Sequence, residues 1–143
     1  MIRLANKFDM DAITELLIDF HAKSRHPLAS DISNWSRNHV DYILSSIFAG
    51  LGFVLISEET DGVLVAIKQP VVWFPNVFVL SEVMWHGKSK RVSTFLIEKY
   101  IDIAHDMKSR GEIGAFYFNS YGDADFARYN MNKISNMWGS NYG

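Results

Sequence analysis

The sequence of 143 residues contains no cysteine. It therefore forms no disulfide, uses no thiolate nucleophile and builds no zinc or iron–sulfur site from cysteine ligands. No stretch approaches the about eighteen uncharged apolar residues of a membrane helix, and residues 1–7 lack the apolar segment of a secretion signal. These absences lead us to expect a cytoplasmic protein without a membrane partner.

An excess of charge of one sign is also lacking. The chain balances 14 lysine and arginine residues against 16 aspartate and glutamate residues, for a net charge of −2. Such a chain has no broad basic field for nucleic acid, so a small nucleic-acid-associated protein is disfavoured. Because 48% of the residues are hydrophobic, we expect one well-buried core and a single domain over residues 1–143.

Hydrophobic periodicity and turn signals predict a mixed α/β (α+β) fold with the order β-α-α-β-β-β-α-β-α-β. The apolar run 71–80 is broken by Pro75-Asn76, where two strands are expected to meet at a turn. A strand, a helix and a strand between residues 77 and 118 predict a parallel crossover within a mostly antiparallel sheet with flanking helices. The predicted strands cover residues 2–4, 52–57, 63–73, 77–85, 113–118 and part of 133–142, and the predicted helices cover about 9–20, 31–49, 94–110 and 123–130.

Three cations lie where the third predicted helix is about to begin: Lys88, Lys90 and Arg91. A helix start carries unpaired N–H groups and a partial positive charge, so these side chains destabilise it unless an anion lies between them. We therefore predict a site for a phosphate-bearing ligand. A Walker P-loop does not fit, because its first glycine would fall on Glu82. A solvated turn remains the alternative.

The order of elements around this segment resembles the GNAT family of N-acetyltransferases, and the resemblance covers nearly the whole chain. The opening residues 2–17 are similar to the family's first strand and helix. The family signature has glutamine or arginine, two free positions, glycine, one free position, and glycine or alanine. It aligns with Lys88, Ser89, Lys90, Arg91, Val92 and Ser93, and Thr94 continues into the helix. Arg91 stands where the family prefers glycine.

The resemblance implies an acetyl-CoA-dependent N-acetyltransferase. In the family, the segment aligned with residues 88–94 holds the CoA pyrophosphate through backbone N–H groups. Val83 and Trp85 lie where the family's strand offers backbone groups to the pantetheine arm. Asn119 matches an asparagine that the resemblance places beside a pantetheine amide; a turn residue is the other interpretation. The implied partners are a CoA thioester and an amine acceptor, either a small molecule or a protein, and a homodimer stays open.

Two residues match the family's acid–base positions. Glu82 lies on the predicted fourth strand, where family members often carry a carboxylate base, although it equally fits a solvent-facing residue. Tyr129 resembles the tyrosine that serves as general acid towards the thioester sulfur; otherwise it is a packed aromatic residue. Because Arg91 replaces the signature glycine, a catalytically degenerate GNAT-like module, which binds CoA or a macromolecular partner without transfer, is the alternative function.

For the other candidate site residues, a structural role is expected. His86 next to the cationic segment suits a base or a phosphate contact, but a surface loop residue is expected. The spacing of Glu98, Asp102 and His105 could hold a metal, but we expect a solvated helix face and no metal. Four aromatic residues could frame an acceptor pocket, and we expect them to pack in the core instead. They are Trp35, Tyr42, Trp73 and Phe74.

Overall fold

The computed structural model of the chain describes residues 1–23, 35–120 and 125–135. Its elements are β1 Ile2–Leu4, a 3₁₀ turn Lys7–Asp9, α1 Met10–Lys23, α2 Arg37–Ser46, a π-helical turn Ile47–Leu51, β2 Gly52–Ser57, β3 Gly62–Val71, β4 Phe74–Gly87, α3 Lys90–Ser109, β5 Ala115–Tyr117 and a 3₁₀ turn Ala127–Tyr129.

The five strands form one sheet in the order β1-β2-β3-β4-β5. All neighbours are antiparallel except β4 and β5, which are parallel and are joined through α3. The predicted fold class is thus confirmed. The last predicted strand is not seen at residues 133–135, and the rest of it lies outside the described residues. The predicted helix 123–130 is a short 3₁₀ turn over its described part, as residues 123–124 lie outside. Residues 31–34 of the second predicted helix also lie outside.

Different helices pack on the two faces of the sheet. Leu64 and Ala66 of β3 face α3, whereas Val63 and Val65 belong to the cluster formed with α1 and α2. This alternation follows from the two-residue period of a strand. Gly62 allows α3 to approach closely, because a Cβ atom there would overlap the side chain of Val92. The core on the α3 face therefore lies directly beneath the parallel pair.

The β3–β4 hairpin turns at Val72 and Trp73, not at Pro75-Asn76 as predicted. Trp73 is 83% exposed, Phe74 is 60% exposed and Tyr42 on α2 is 68% exposed, so the expectation of core packing is wrong for these three. Trp35 is partly buried and its ring lies 6.2 Å from that of His21. Their aromatic character alone predicted burial. The tip of the β3–β4 hairpin, with Trp73 and Phe74, extends beyond the part of β3 that pairs with β2.

None of the helices in the described ranges is both long and apolar enough to cross a membrane.

Candidate active site

The strands β4 and β5 separate after a short parallel pairing. Their ladder runs from Val79 and Ala115 to Ser81 and Tyr117, where it stops. Beyond it, β4 continues to Gly87 while the chain after β5 leaves the sheet. We call the space between residues 82–87 of β4 and residues 118–120 the fork. A fork of this kind leaves backbone groups of β4 unpaired and available to a ligand.

A β-bulge lies at the start of the fork. Val65 pairs with Met84 and Ala66 pairs with Glu82, so the intervening Val83 has no partner on β3. Val83 is 55% exposed. Bulges bend a strand and free backbone groups from the ladder. The structure thus puts Val83, one of the two residues expected beside a pantetheine arm, at an irregularity of β4 next to the fork.

Glu82 spans the fork. Its side chain is buried, and Oε1 accepts a hydrogen bond of 2.9 Å from the backbone N–H of Asn119. Burial raises the pKa of this carboxyl above its ordinary value, and the hydrogen bonds from Asn119 offset the rise only in part. Two residues predicted separately, as base and as pantetheine contact, therefore meet across the two strands. The interpretation of Glu82 as a solvent-facing residue is wrong.

Aromatic rings fill the α3 side of the fork. Trp85 of β4 lies edge-on to Phe118 and to Phe126, with ring centroids 6.2 and 6.1 Å apart, and Phe118 meets Phe126 at 4.9 Å. Edge-to-face contacts of this kind are favourable beyond the area they bury. The Trp85 indole N–H also donates to the Ser93 carbonyl at 3.1 Å. Trp85 therefore ties β4 to the first turn of α3.

The helix α3 starts earlier than predicted. Ser89 is its N-cap, with a hydroxyl that accepts from the Val92 N–H at 3.2 Å, and Lys90 is already the first helical residue. Serine is among the best N-cap residues because it satisfies an otherwise unpaired donor. The segment predicted as a loop through Ser93 is therefore only Lys88 and Ser89, since the remaining residues form the first turn of the helix.

The start of α3 has the character of an anion site. No acidic residue lies in the first turn, and the side chains of Lys88, Lys90 and Arg91 are exposed. Among the described residues, no hydrogen bond engages the backbone N–H groups of Lys90 and Arg91. The N–H of Lys88 instead donates to the Asp61 carbonyl at 2.8 Å, which anchors the segment to the β2–β3 turn. Two free donors and three cations favour a negatively charged ligand.

The side chain of Arg91 extends along α3. Its guanidinium lies over the ring of Phe95, one turn further along α3, at 5.4 Å from the centroid. As a residue within the helix, Arg91 has a backbone conformation that any L-residue adopts. Gly87 lets β4 pack closely against this first turn, because a Cβ atom there would lie 2.5 Å from Ser93 Oγ.

Tyr129 packs over α3 rather than standing free. Its hydroxyl donates to Glu98 at 2.7 Å and accepts from Arg128 at 2.6 Å. Burial and then the carboxylate of Glu98 raise the pKa of the phenol, and Arg128 offsets this in part. Ring contact with Phe126, at 6.4 Å between centroids, links Tyr129 to the aromatic cluster of the fork.

The remaining candidates contact other elements. His86 lies in β4, not in a surface loop, and its Nε2 is 2.7 Å from an oxygen of Asp19 on α1. Glu98 accepts from Tyr129, while the ring of His105 packs on Phe116 at 5.0 Å. In the part of the chain that the structure describes, no group of three histidine or acidic side chains is arranged for a metal ion.

Sequence reasoning missed the role of Tyr100. Its hydroxyl donates to the carbonyl of Tyr117 at the point where the ladder stops, although the residue lies within the third predicted helix. The contact between Glu82 and Asn119 was also missed, because the two residues are 37 positions apart and meet only through the parallel register. A polar atom on an otherwise apolar helix stripe was the available signal for Tyr100.

No protein-family model matches the sequence, and no curated protein matches it. Solved structures nevertheless share its fold. A possible acetyltransferase from Clostridium difficile 630 superimposes with a TM-score of 0.67 at 12% identity, over 97% of this chain and 95% of that chain. A GNAT family acetyltransferase from Staphylococcus aureus subsp. aureus USA300_TCH1516 gives 0.58 at 15% identity, over 98% and 96%. A ribosomal-protein-alanine N-acetyltransferase from Brucella melitensis biovar Abortus 2308 gives 0.59 at 13% identity, over 98% and 94%.

This chain therefore has the fold of the GNAT acetyltransferases, as the sequence resemblance predicted. At these identities the likeness establishes the fold alone.

Proposed function

We propose that this protein is an acetyl-CoA-dependent N-acetyltransferase in which an amine attacks the thioester directly. The observation that carries the proposal is Glu82. It is a buried carboxylate at the mouth of a strand fork; within the described residues, burial raises its pKa, Asn119 offsets the rise in part, and no cation is among the causes. A buried acid without a cationic partner destabilises a fold, and such groups concentrate at functional sites.

The start of α3 supplies the binding half of the proposal. The free N–H groups of Lys90 and Arg91 and the exposed side chain of Lys88 would hold the CoA pyrophosphate. Ser89 Oγ already caps Val92, so the ligand does not need to satisfy that donor. From this end of α3, the pantetheine arm would run into the fork beside the backbone of residues 83–85, with Asn119 on the opposite side.

The chemistry needs no covalent intermediate. The amine nitrogen bonds to the thioester carbonyl carbon, the C–S bond breaks, and CoA leaves as a thiolate. Glu82 would accept the proton that the amine gives up, directly or through a water molecule, and its raised pKa brings it closer to the range of an effective base. Tyr129 would donate a proton to the thiolate, after its hydroxyl turns from Glu98. Alignment of amine and thioester supplies much of the rate.

The alternative is a GNAT-like module that binds CoA or a macromolecular partner without transfer. It is favoured by the hydrogen bonds that already engage both proposed acid–base groups, Glu82 with Asn119 and Tyr129 with Glu98. Under this alternative, those bonds are permanent structural links. Under the proposed function, at least one of them opens during turnover.

A thiol-release assay separates these two functions. The protein is mixed with acetyl-CoA and an amine panel of an alkyl diamine, free lysine and a peptide with a free N-terminus, and CoA thiol is followed with a chromogenic reagent. Because the chain has no cysteine, the protein itself contributes no signal. Amine-dependent release that is reduced in Tyr129→Phe supports transfer. Binding of acetyl-CoA in calorimetry without release on any amine favours the binding module, and no binding at millimolar ligand rejects both CoA functions.

Replacing Arg91 with glycine is expected to weaken acetyl-CoA binding about three- to tenfold at low salt. The variant loses a cation near the helix start and a residue that favours the helix, by about 1 kcal/mol for glycine. Calorimetry at two salt concentrations measures the effect, which should shrink at high salt. Lys99→Ala is the matched control, because it removes an exposed cation from the same helix about 12 Å further along. Tighter binding by Arg91→Gly would show instead that the arginine obstructs the site.

A further inference from the structure

Tyr100 lies where β4 and β5 part. The residue is fully buried on α3, and its hydroxyl donates to the Tyr117 carbonyl at 2.6 Å, with the Leu80 carbonyl at 3.4 Å. Tyr117 is the last paired residue of β5, and Leu80 lies one residue before the last paired residue of β4. One side-chain oxygen of the helix thus contacts both strands at the apex of the fork.

Phenylalanine at position 100 would fill the same space as Tyr100 but would lack the hydroxyl. The ring of Tyr100 packs edge-on against Phe116 and Phe118, contacts that phenylalanine would keep. The hydroxyl, however, satisfies a carbonyl at the point where the ladder stops. With it, the strands separate without leaving that acceptor unpaired in the core.

Glu82 is close enough to interact electrostatically with this hydroxyl. Burial first, and then the negative charge of Glu82, raise the pKa of the Tyr100 phenol well above its ordinary value. Glu82 is the first residue of β4 beyond the last parallel pair, and its own hydrogen bond runs to Asn119, two residues beyond Tyr117. The contact between Glu82 and Asn119 therefore depends on how far β5 lies from β4, which is the separation that Tyr100 bridges.

We infer that Tyr100 is a positioning residue of the fork: its hydroxyl sets the separation of β4 and β5 and so holds the Glu82 carboxylate against the Asn119 N–H. The inference rests on the proposed function only for its kinetic consequence. The structural part concerns the geometry of three groups and is measurable without turnover.

The test is Tyr100→Phe, compared with Thr14→Val. Thr14 also carries a buried hydroxyl that donates to a backbone carbonyl, that of Met10 at 2.8 Å, but it lies on α1. The first readout is the proton shift of the Asn119 amide as a function of pH, because this N–H is donated to a carboxylate that titrates. In Tyr100→Phe we expect the pH-dependent change to lose more than half of its amplitude and its midpoint to move upward, since a weaker Asn119 bond stabilises the carboxylate less.

The second readout is kinetic. We expect kcat to fall about tenfold in Tyr100→Phe with KM for acetyl-CoA changed less than twofold, because alignment and not affinity is disturbed. Thr14→Val should leave the amide titration and kcat unchanged even if its Tm moves. An Asn119 titration that is unchanged or shifted downward in Tyr100→Phe, with only a lowered Tm, would overturn the inference. If the unaltered protein transfers no acetyl group, the proposed function fails while the amide titration still decides the role of Tyr100.

Discussion

Glu82→Gln is expected to lower kcat/KM for acetyl transfer by about 10²- to 10⁴-fold, the range that a positioned general base contributes. Glutamine keeps the size of the side chain and an oxygen that accepts from the Asn119 N–H, so the fork should keep its shape. What is lost is the ability to take a proton from the amine. KM for acetyl-CoA should change little, because the carboxylate is not assigned to CoA binding.

The same substitution should raise the stability of the protein at neutral pH. Burial raises the pKa of Glu82 in the folded state, so the folded protein holds this proton to higher pH than the unfolded chain does. The stability contribution is therefore complete below the unfolded carboxyl's pKa and is lost as pH rises through the raised folded pKa. Glu82→Gln does not ionise, so its advantage over the unaltered protein should appear at neutral pH and shrink below about pH 4.

Urea unfolding at pH 4 and pH 7, combined with a pH profile of kcat/KM, measures both effects. The unaltered protein should gain activity as pH rises through the raised pKa of Glu82, and the variant should lack that limb. Glu15→Gln, an exposed acid on α1, is the matched control and should change neither quantity. Full activity in Glu82→Gln would remove this residue from the mechanism. Lower stability of the variant at neutral pH would show that the Glu82 carboxylate of the unaltered protein is stabilised by its surroundings.

Gly87→Ala is expected to weaken acetyl-CoA binding at least tenfold and to lower stability by about 1–3 kcal/mol, as overpacking does. A Cβ atom at position 87 would lie 2.5 Å from Ser93 Oγ and 2.7 Å from Ser93 N, distances that side-chain carbons do not tolerate. One of the two clashing atoms is helix backbone, so the first turn of α3 must move. That movement would displace the N–H groups of Lys90 and Arg91 and strain the bond from Trp85 to the Ser93 carbonyl.

Gly114→Ala is the control for this substitution. Its added Cβ would lie 3.2 Å from a methyl of Val77, an exposed side chain, so a small shift accommodates it. Calorimetry with acetyl-CoA and urea unfolding of both variants give the comparison. If Gly87→Ala binds with unaltered affinity, the start of α3 is not the part of the protein that holds the ligand.

The fold was predictable because local signals and the global arrangement agree over most of the chain. Gly62 illustrates this: it lies between the predicted strands 52–57 and 63–73 and, in the structure, allows α3 to approach the sheet. The failures arose where several local signals compete. The helix α3 begins at Lys90, after the N-cap Ser89, whereas the family signature implied a start at Thr94. Pro75-Asn76 was a stronger turn signal than Val72-Trp73, yet the chain reverses at the latter pair.

The residues of the candidate site could be proposed from the sequence, but the contacts between them could not. Glu82 and Asn119 were predicted from their positions in the resemblance, and the cations at the start of α3 were predicted from the charge pattern there. Their geometry depends on the register of β4 with β5 and on the bulge at Val83, which no local pattern determines. For the same reason, the link from Tyr100 to the carbonyl of Tyr117 was beyond sequence reasoning, since it requires the packing of α3 on both strands.

Amide NMR of the ¹⁵N-labelled protein titrated with acetyl-CoA tests most directly whether a CoA thioester lies from the start of α3 into the fork. The proposed function predicts the largest shift changes at Lys90 and Arg91, from the pyrophosphate, and at Val83 and Asn119, from the pantetheine arm. Titration with CoA should reproduce the changes at α3. Shift changes confined to other surfaces, or none at millimolar acetyl-CoA, would contradict this placement of the thioester.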